Sequence, residues 1–365
     1  MLTGGGAMHL NDAFGRHPGL RKIYTHHEQA AAIAAESYCR LSHRPALVNV
    51  TTGPGGVNAL NGVYGAYVDS IAMVVVSGQV KRENCAPNFP IPLRQLGDQE
   101  VDIVSMVRGI TKYAVVINDP LQARKITEKA IYLATRGRPG PVWIDVPMDV
   151  QAAPVDFDEL EAYDPASDED HADEPANNAA ELAALTGDAL RGEVAAMMAE
   201  LCAAERPVVL AGTGVRMSGQ HAAFLQFVER LGIPVVSGWN AHDVITNANP
   251  LYVGRPGSVG DRGGNFAVQT ADYVLVLGCR LNIRQISYNW QSFARNGRVA
   301  MVEIDRAELE KPTLSLHRPI HADLRDFFAV AAEMPLPADD NATARQDYLV
   351  RCRERSARYP VVLDE

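Results

Sequence analysis

The 365 residues hold no apolar run near the roughly 18 that a membrane span requires, so a transmembrane chain is not expected. No basic stretch followed by an apolar stretch opens the chain, so neither is a secretory leader. Cysteine is scarce. Cys39, Cys85, Cys202, Cys279 and Cys352 are dispersed, odd in number and free of any C-x-x-C pair that could hold zinc or a redox disulfide, which points to a reducing cytoplasm. A basic excess is lacking too. Lys and Arg number 34 against 44 Asp and Glu, and ten of the acids lie between positions 156 and 174, leaving 34 of each sign elsewhere. A nearly neutral chain with one acidic segment offers nothing to a nucleic-acid backbone.

What the chain does have is an alternation of short β-branched runs with helical patterns, the mark of a parallel sheet with crossover helices. Strands are predicted over Lys22–Thr25, Ala46–Val50, Ile71–Ser77, Lys112–Ile117 and Pro141–Val146, with an Ala-rich helix from Glu28 to Cys39. A second helix opens at Asp119-Pro120 and closes at Gly137. Residues 156–186 read as an acidic linker. The same grammar then resumes: helix from Gly187 to Ala204, strand Pro207–Ala211, helix Gln220–Leu231, then strands Pro234–Ser237, Tyr273–Leu277 and Val299–Ile304. The fold class predicted is α/β, with two doubly wound parallel-sheet domains. After Pro335 the pattern gives way to a polar opening and one short charged helix.

Four turns in the first block follow strand ends, where open α/β sheets bind ligands. They are Gly4-Gly5-Gly6, His26-His27-Glu28-Gln29, Thr51-Thr52-Gly53-Pro54-Gly55-Gly56-Val57-Asn58 and Ser77-Gly78-Gln79. Each has a bland explanation taken singly: a sharp turn, a first-turn acid favoured by the helix dipole, tight helix-to-sheet packing. The third lacks the Lys-Ser/Thr of a P-loop. Together, on one sheet edge, they describe a single crevice.

In this order the four turns resemble the thiamine-diphosphate-dependent enzymes of the acetolactate synthase type, and the similarity extends over nearly the whole chain. The resemblance implies a pyrimidine-binding domain over 1–155 lacking its first strand and helix, the linker, a Rossmann-like middle domain over 187–335, and a connection over 336–365 to a diphosphate-binding domain. It gives Glu28 the place of the family's catalytic glutamate, which shares a proton with N1′ of the aminopyrimidine so that the cofactor can lose its C2 proton. Gly5 and Gly6 correspond to a loop closing over the site, Pro54, Gly55 and Asn58 to the turn beside the pyrimidine, and Gln79 to a glutamine lining it. The implied activity is decarboxylation of a 2-oxo acid and transfer of its acyl carbanion equivalent to a second carbonyl compound, with the cofactor as electron sink. The implied assembly is a homodimer or tetramer with the site at a subunit interface.

The sequence departs from the family in three places. Asp98 stands where Asp98-Gln99-Glu100-Val101-Asp102-Ile103 would carry a phenylalanine, which puts a pyruvate-sized pocket in doubt. Gly212-Thr213-Gly214 resembles the opening turn of the middle domain, yet Arg280-Leu281-Asn282-Ile283-Arg284 replaces the segment that contacts flavin adenine dinucleotide in some relatives. The family's Mg²⁺ ligands, Gly-Asp-Gly followed by Asn-Asn, have no counterpart: the only Asn pair is Asn177-Asn178, with no Gly-Asp before it at the right spacing. Mg²⁺ and diphosphate are then expected to be held by another domain, the chain being a fragment or one subunit of a split enzyme. The competing classes are a non-catalytic nucleotide- or flavin-binding protein and an NAD-dependent dehydrogenase, the latter weakened by the missing third glycine after Gly212-Thr213-Gly214.

Overall fold

The computed structural model describes residues 1–167, 184–337 and 341–362. Asn177-Asn178 and the middle of the acidic segment lie outside the described residues. Two compact units are present, Met1–Ala179 and Ala180–Glu365. Each is built on one sheet whose strands all pair in parallel.

In the first unit β1 (Ala46–Val50), β2 (Met73–Gln79), β3 (Tyr113–Val116) and β4 (Pro141–Pro147) lie in the order β1-β2-β4-β3. Successive side chains point to opposite faces, and both faces are covered, which is why these strands read as unbroken apolar runs. Met73, Val75 and Trp143 pack with Ala31, Ala32, Ala59 and Val63 of the helices Glu28–Ser42 and Pro54–Val68. Val74, Val76 and Ile144 pack on the other face with Ala130 and Leu133 of the helix Ala123–Thr135.

The predicted strand at Lys22–Thr25 is not a strand. Its backbone bonds are to Met1 alone, Met1 N to Ile23 O at 2.7 Å and Thr25 N to Met1 O at 3.3 Å, too few for a ladder. Leu2 N donates to Asn49 O at 3.2 Å, so the opening residues lie beside β1 before the glycine turn leads into the helix Met8–Arg16.

In the second unit β5 (Pro207–Ala211), β6 (Val235–Ser237), β7 (Tyr273–Leu277), β8 (Arg298–Glu303) and β9 (Arg318–His321) take the order β6-β5-β7-β8-β9. Chain direction across this sheet reverses between β5 and β7, the topological switch point of a doubly wound fold. The sequence pattern does not predict β9, because Pro319 interrupts it. Proline lacks an N–H, and β9 is an edge strand, where that donor is not needed. The closing helix is Ala342–Arg358, seventeen residues and not a short one, with Tyr348, Leu349 and Cys352 buried on one side. Tyr348 donates to Ala267 O at 2.5 Å, and Ser356 to Val253 O at 2.7 Å.

Candidate active site

Glu28 is the first residue of the helix Glu28–Ser42, where the free N–H groups favour a carboxylate. His27 caps that helix, its Nδ1 accepting from Gln29 N at 3.1 Å. The Glu28 side chain is buried, at 7% exposure, and Oε2 accepts from Asn58 Nδ2 at 3.1 Å. No hydrogen bond reaches Oε1 among the described residues. That atom faces Gly55, where an added Cβ would lie 3.4 Å from Oε1 and 2.8 Å from Thr51 Cγ2. A carboxylate oxygen of a largely buried side chain, unbonded and facing a space that only glycine leaves open, is the main chemical feature of this edge.

The turn that carries Gly55 and Asn58 is set by Gly53, the residue before the helix Pro54–Val68. Its φ of 60° and ψ of −114° suit glycine alone, and a Cβ there would lie 1.8 Å from Gln99 O. Pro54 occupies the first helical position, where its missing N–H costs nothing, and it is exposed. Asn58, one turn on, is thereby aimed at Glu28.

Gly4-Gly5-Gly6 lies over the ends of β1 and β2. Gly6 N donates to Thr51 Oγ1 at 3.1 Å, Gly6 O accepts from Gln151 Nε2 at 2.7 Å, and Thr52 Oγ1 donates to Gly78 O at 3.0 Å. Gly5 is exposed, and no atom lies within 4 Å of where its Cβ would be. Thr51 thus touches both the glycine loop and the Gly55 turn.

Gln79, at the end of β2, belongs to a neighbouring buried network and makes no hydrogen bond to Glu28. Its Nε2 donates to Asp145 Oδ2 and to Val101 O, both at 3.0 Å, while Oε1 accepts from Val80 N at 3.0 Å. Ser77 Oγ donates to Asp145 Oδ1 at 2.5 Å and accepts from Trp143 Nε1 at 2.8 Å. Burial pushes the Asp145 carboxyl up to about 7 against the pull of the Ser77 and Gln79 hydrogen bonds, with the nearby charge of Asp102 adding to the rise.

The structure therefore brings together Glu28, Gly55 and Asn58, and places Pro54, Gly5, Gly6 and Gln79 along the same sheet edge. Residues not anticipated as site residues are Thr51, Gln151 and Asp145. Asp145 carries a signal in the sequence, an acid inside an otherwise apolar strand run.

In the second unit Gly212-Thr213-Gly214 follows β5 at the switch point. Gly212 N donates to Leu277 O at 2.9 Å and Gly214 N to Gly278 O at 3.0 Å, and a Cβ on Gly212 would lie 2.2 Å from Gly278 O. Both glycines are required by the close approach of the turn after β7, and their amides are already committed there.

Comparison with known proteins agrees with this layout. Residues 1–106 match the family described as thiamine pyrophosphate enzyme, N-terminal TPP binding domain, and residues 194–330 match thiamine pyrophosphate enzyme, central domain. The acetolactate synthase large subunit of Lactococcus lactis is 35% identical over 322 residues, 88% of this chain and 52% of that protein. Acetolactate synthase isozyme 1 large subunit of Escherichia coli is 32% identical over 331 residues, 90% of this chain and 53% of that protein. The probable acetolactate synthase large subunit of Methanococcus aeolicus is 32% identical over 327 residues, 88% of this chain and 50% of that protein. The chain spans about half the length of the curated relatives it matches. With both family domains present in family order, the chain belongs to the thiamine pyrophosphate enzymes, carries their N-terminal TPP-binding and central domains, and is similar to acetolactate synthase large subunits.

Proposed function

We propose that this chain supplies the pyrimidine-binding half of a thiamine-diphosphate site in a carboligase or 2-oxo acid lyase of the acetolactate synthase type. The observation that carries this reading is the Glu28 carboxyl, buried, held on one side by Asn58 and open on the other beside Gly55. Its residues fit an aminopyrimidine ring: a single carboxyl oxygen presented to a flat edge, with no side chain at position 55 to occupy the space.

When bound, the cofactor would supply a carbon nucleophile and an electron sink for decarboxylation of a 2-oxo acid. Glu28 would hold a proton at Oε1, the oxygen that faces the space beside Gly55. Asn58 fixes the other oxygen, so the carboxyl plane does not rotate. Pro54 and Gly55 set the wall beside the ring, Gly5 and Gly6 close over it, and Gln79 lines the edge. Water exclusion by the closing loop raises the effective strength of the Glu28 hydrogen bond.

Mg²⁺ and the diphosphate are assigned to a domain outside these residues, because the sequence has no Gly-Asp-Gly with a following Asn-Asn. A homodimer, with the site completed across subunits, and a cytoplasmic setting are part of this reading. Among the described residues no helix is long and apolar enough to cross a membrane. If the middle domain takes flavin adenine dinucleotide, its pyrophosphate meets donors other than the amides of Gly212 and Gly214, which bond to β7 and its turn.

The test is to pair the chain with a diphosphate-binding domain, fused or as a second polypeptide, and measure thiamine-diphosphate-dependent carbon dioxide release from pyruvate and other 2-oxo acids. Glu28→Gln is expected to lower the rate by about 10²- to 10⁴-fold. Unchanged turnover in that variant removes Glu28 from the reaction. An absorption band of bound flavin in the purified chain, without carboligation in the paired enzyme, favours the non-catalytic flavin-binding alternative.

A further inference from the structure

The first unit contains a carboxylate with no cationic partner among the described residues. Asp145 is 2% exposed, in register with Ser77 on the β2–β4 pair and on the same sheet face as Trp143. Its two oxygens accept from two different donors, Ser77 Oγ and Gln79 Nε2. The donors are themselves fixed. Ser77 Oγ is held by the indole of Trp143, whose ring lies 3.4 Å from the position of a Cβ on Gly56, in the turn beside Glu28. Gln79 has both remaining options used, a donor to Val101 O and an acceptor from Val80 N, so the orientation of its amide is set by its partners. A buried acid is costly, and an apolar residue at this place in β4 would pack without that cost. Its retention needs a task that a hydrocarbon cannot do.

We propose that Asp145 is a positioning residue of the candidate active site, holding the Gln79 amide and the Ser77–Trp143 pair in one fixed arrangement at the carboxyl edge of β2 and β4. The arrangement depends on the proton of Asp145. With the carboxylate ionised, both donors bond to a charged acceptor. Protonation places a hydrogen on an oxygen that already accepts one. The protonated oxygen can still accept through its second lone pair, but both donors now bond to a neutral group, roughly half as strong. The new O–H also needs an acceptor, which Ser77 Oγ can be only by turning its own hydrogen away. The titratable groups facing Asp145 are Asp102, at the start of the helix Ile103–Val107, and Cys85, in the loop after β2. Asp102 adds a negative charge, and burial holds the Cys85 thiol up at about 11, protonated where Asp145 titrates.

The proposal rests on Gln79 belonging to the cofactor site, but its geometry is testable without cofactor. In the full chain labelled with ¹⁵N, the Gln79 side-chain amide and the Trp143 indole N–H are expected to shift together with one midpoint near pH 7, and Asp145→Asn to abolish both shifts. If that variant does not fold, Ser77→Ala serves: loss of one donor to the carboxylate should raise the Gln79 midpoint by about one pH unit. Signals that stay constant between pH 5 and 9, or a titration that survives Asp145→Asn, overturn the proposal. In the enzyme completed with its diphosphate-binding domain, Asp145→Asn should remove a step near pH 7 from the pH profile of apparent thiamine-diphosphate affinity. A profile identical to wild type overturns the link to the site while leaving the role of Glu28 to be judged by its own variant.

Discussion

Gly53→Ala probes whether the turn before the helix Pro54–Val68 is what aims Asn58 at Glu28. Two costs add at this position. A residue with a Cβ at φ 60° and ψ −114° carries strain of about 1–3 kcal/mol. Its Cβ would also sit 1.8 Å from Gln99 O, so that carbonyl must move, and Gln99 is itself held at φ 57°. Displacing a packed backbone segment adds a further 1–3 kcal/mol or so. The expected loss is about 2–6 kcal/mol, a large share of a stability of roughly 5–15 kcal/mol. Gly65→Ala in the same helix is the control. Nothing lies within 4 Å of its Cβ, so alanine there should stabilise by up to about 1 kcal/mol. Trp143 is the only tryptophan of the first unit and is fully buried, so 5-fluorotryptophan NMR in urea follows that unit alone. Equal midpoints for Gly53→Ala and wild type would refute the argument that this backbone geometry sets the turn.

Much of the fold is legible in the sequence because both sheets are buried on two faces. β1, β5 and β7 match their predicted limits to the residue, since each is a β-branched run bounded by a breaker or a turn. The segment Lys22–Thr25 has the same local pattern and fails, because a strand exists only where a neighbour supplies a ladder. β9 escapes the pattern through Pro319, whose meaning depends on whether the strand is central or at an edge. The site divides in the same way. Glu28 and the Gly55–Asn58 turn stand out as motifs at strand ends, but their contact joins residues 30 apart in sequence, and only the packing of two helices makes it. The Asp145 bonds to Ser77 and Gln79 span 68 and 66 residues, and the Gln151 bond to Gly6 spans 145. No periodicity encodes such contacts. What the sequence displays is one acid in an apolar run and one amide just past β4.

Thr51→Val keeps shape and removes the hydroxyl that accepts from Gly6 N. It should cost about 1–2 kcal/mol and speed amide exchange at Gly6, while unchanged exchange would show that the glycine loop is held by other contacts. The two units should also answer acid in opposite directions. In the second unit Arg318, with help from Tyr273 and His317, holds Glu200 down at about 2, below its ordinary 4.5. That pairing stabilises the fold above pH 4.5, and the stabilisation is lost as pH falls toward 2. Each tenfold change in proton affinity is worth roughly 1.4 kcal/mol, and solvent screening at a side chain 20% exposed brings the total to about 2 kcal/mol. In the first unit Asp145 moves the other way, from 3.8 to about 7. Between those values the folded chain keeps a proton that the unfolded chain has released, so stability is greatest below pH 3.8 and falls by up to about 4 kcal/mol as pH rises through 7. Trp143 reports the first unit, and Trp239 and Trp290 the second, so fluorotryptophan signals in urea at pH 3, 5 and 7 separate the two responses. Other carboxyls contribute to both curves, and the decisive quantity is the difference between wild type and variant. Asp145→Asn should gain on wild type as pH rises, only in the Trp143 signal. Glu200→Gln should gain on wild type as pH falls, only in the Trp239 and Trp290 signals. If each difference stays constant with pH, neither carboxyl has the environment that its hydrogen bonds and burial imply.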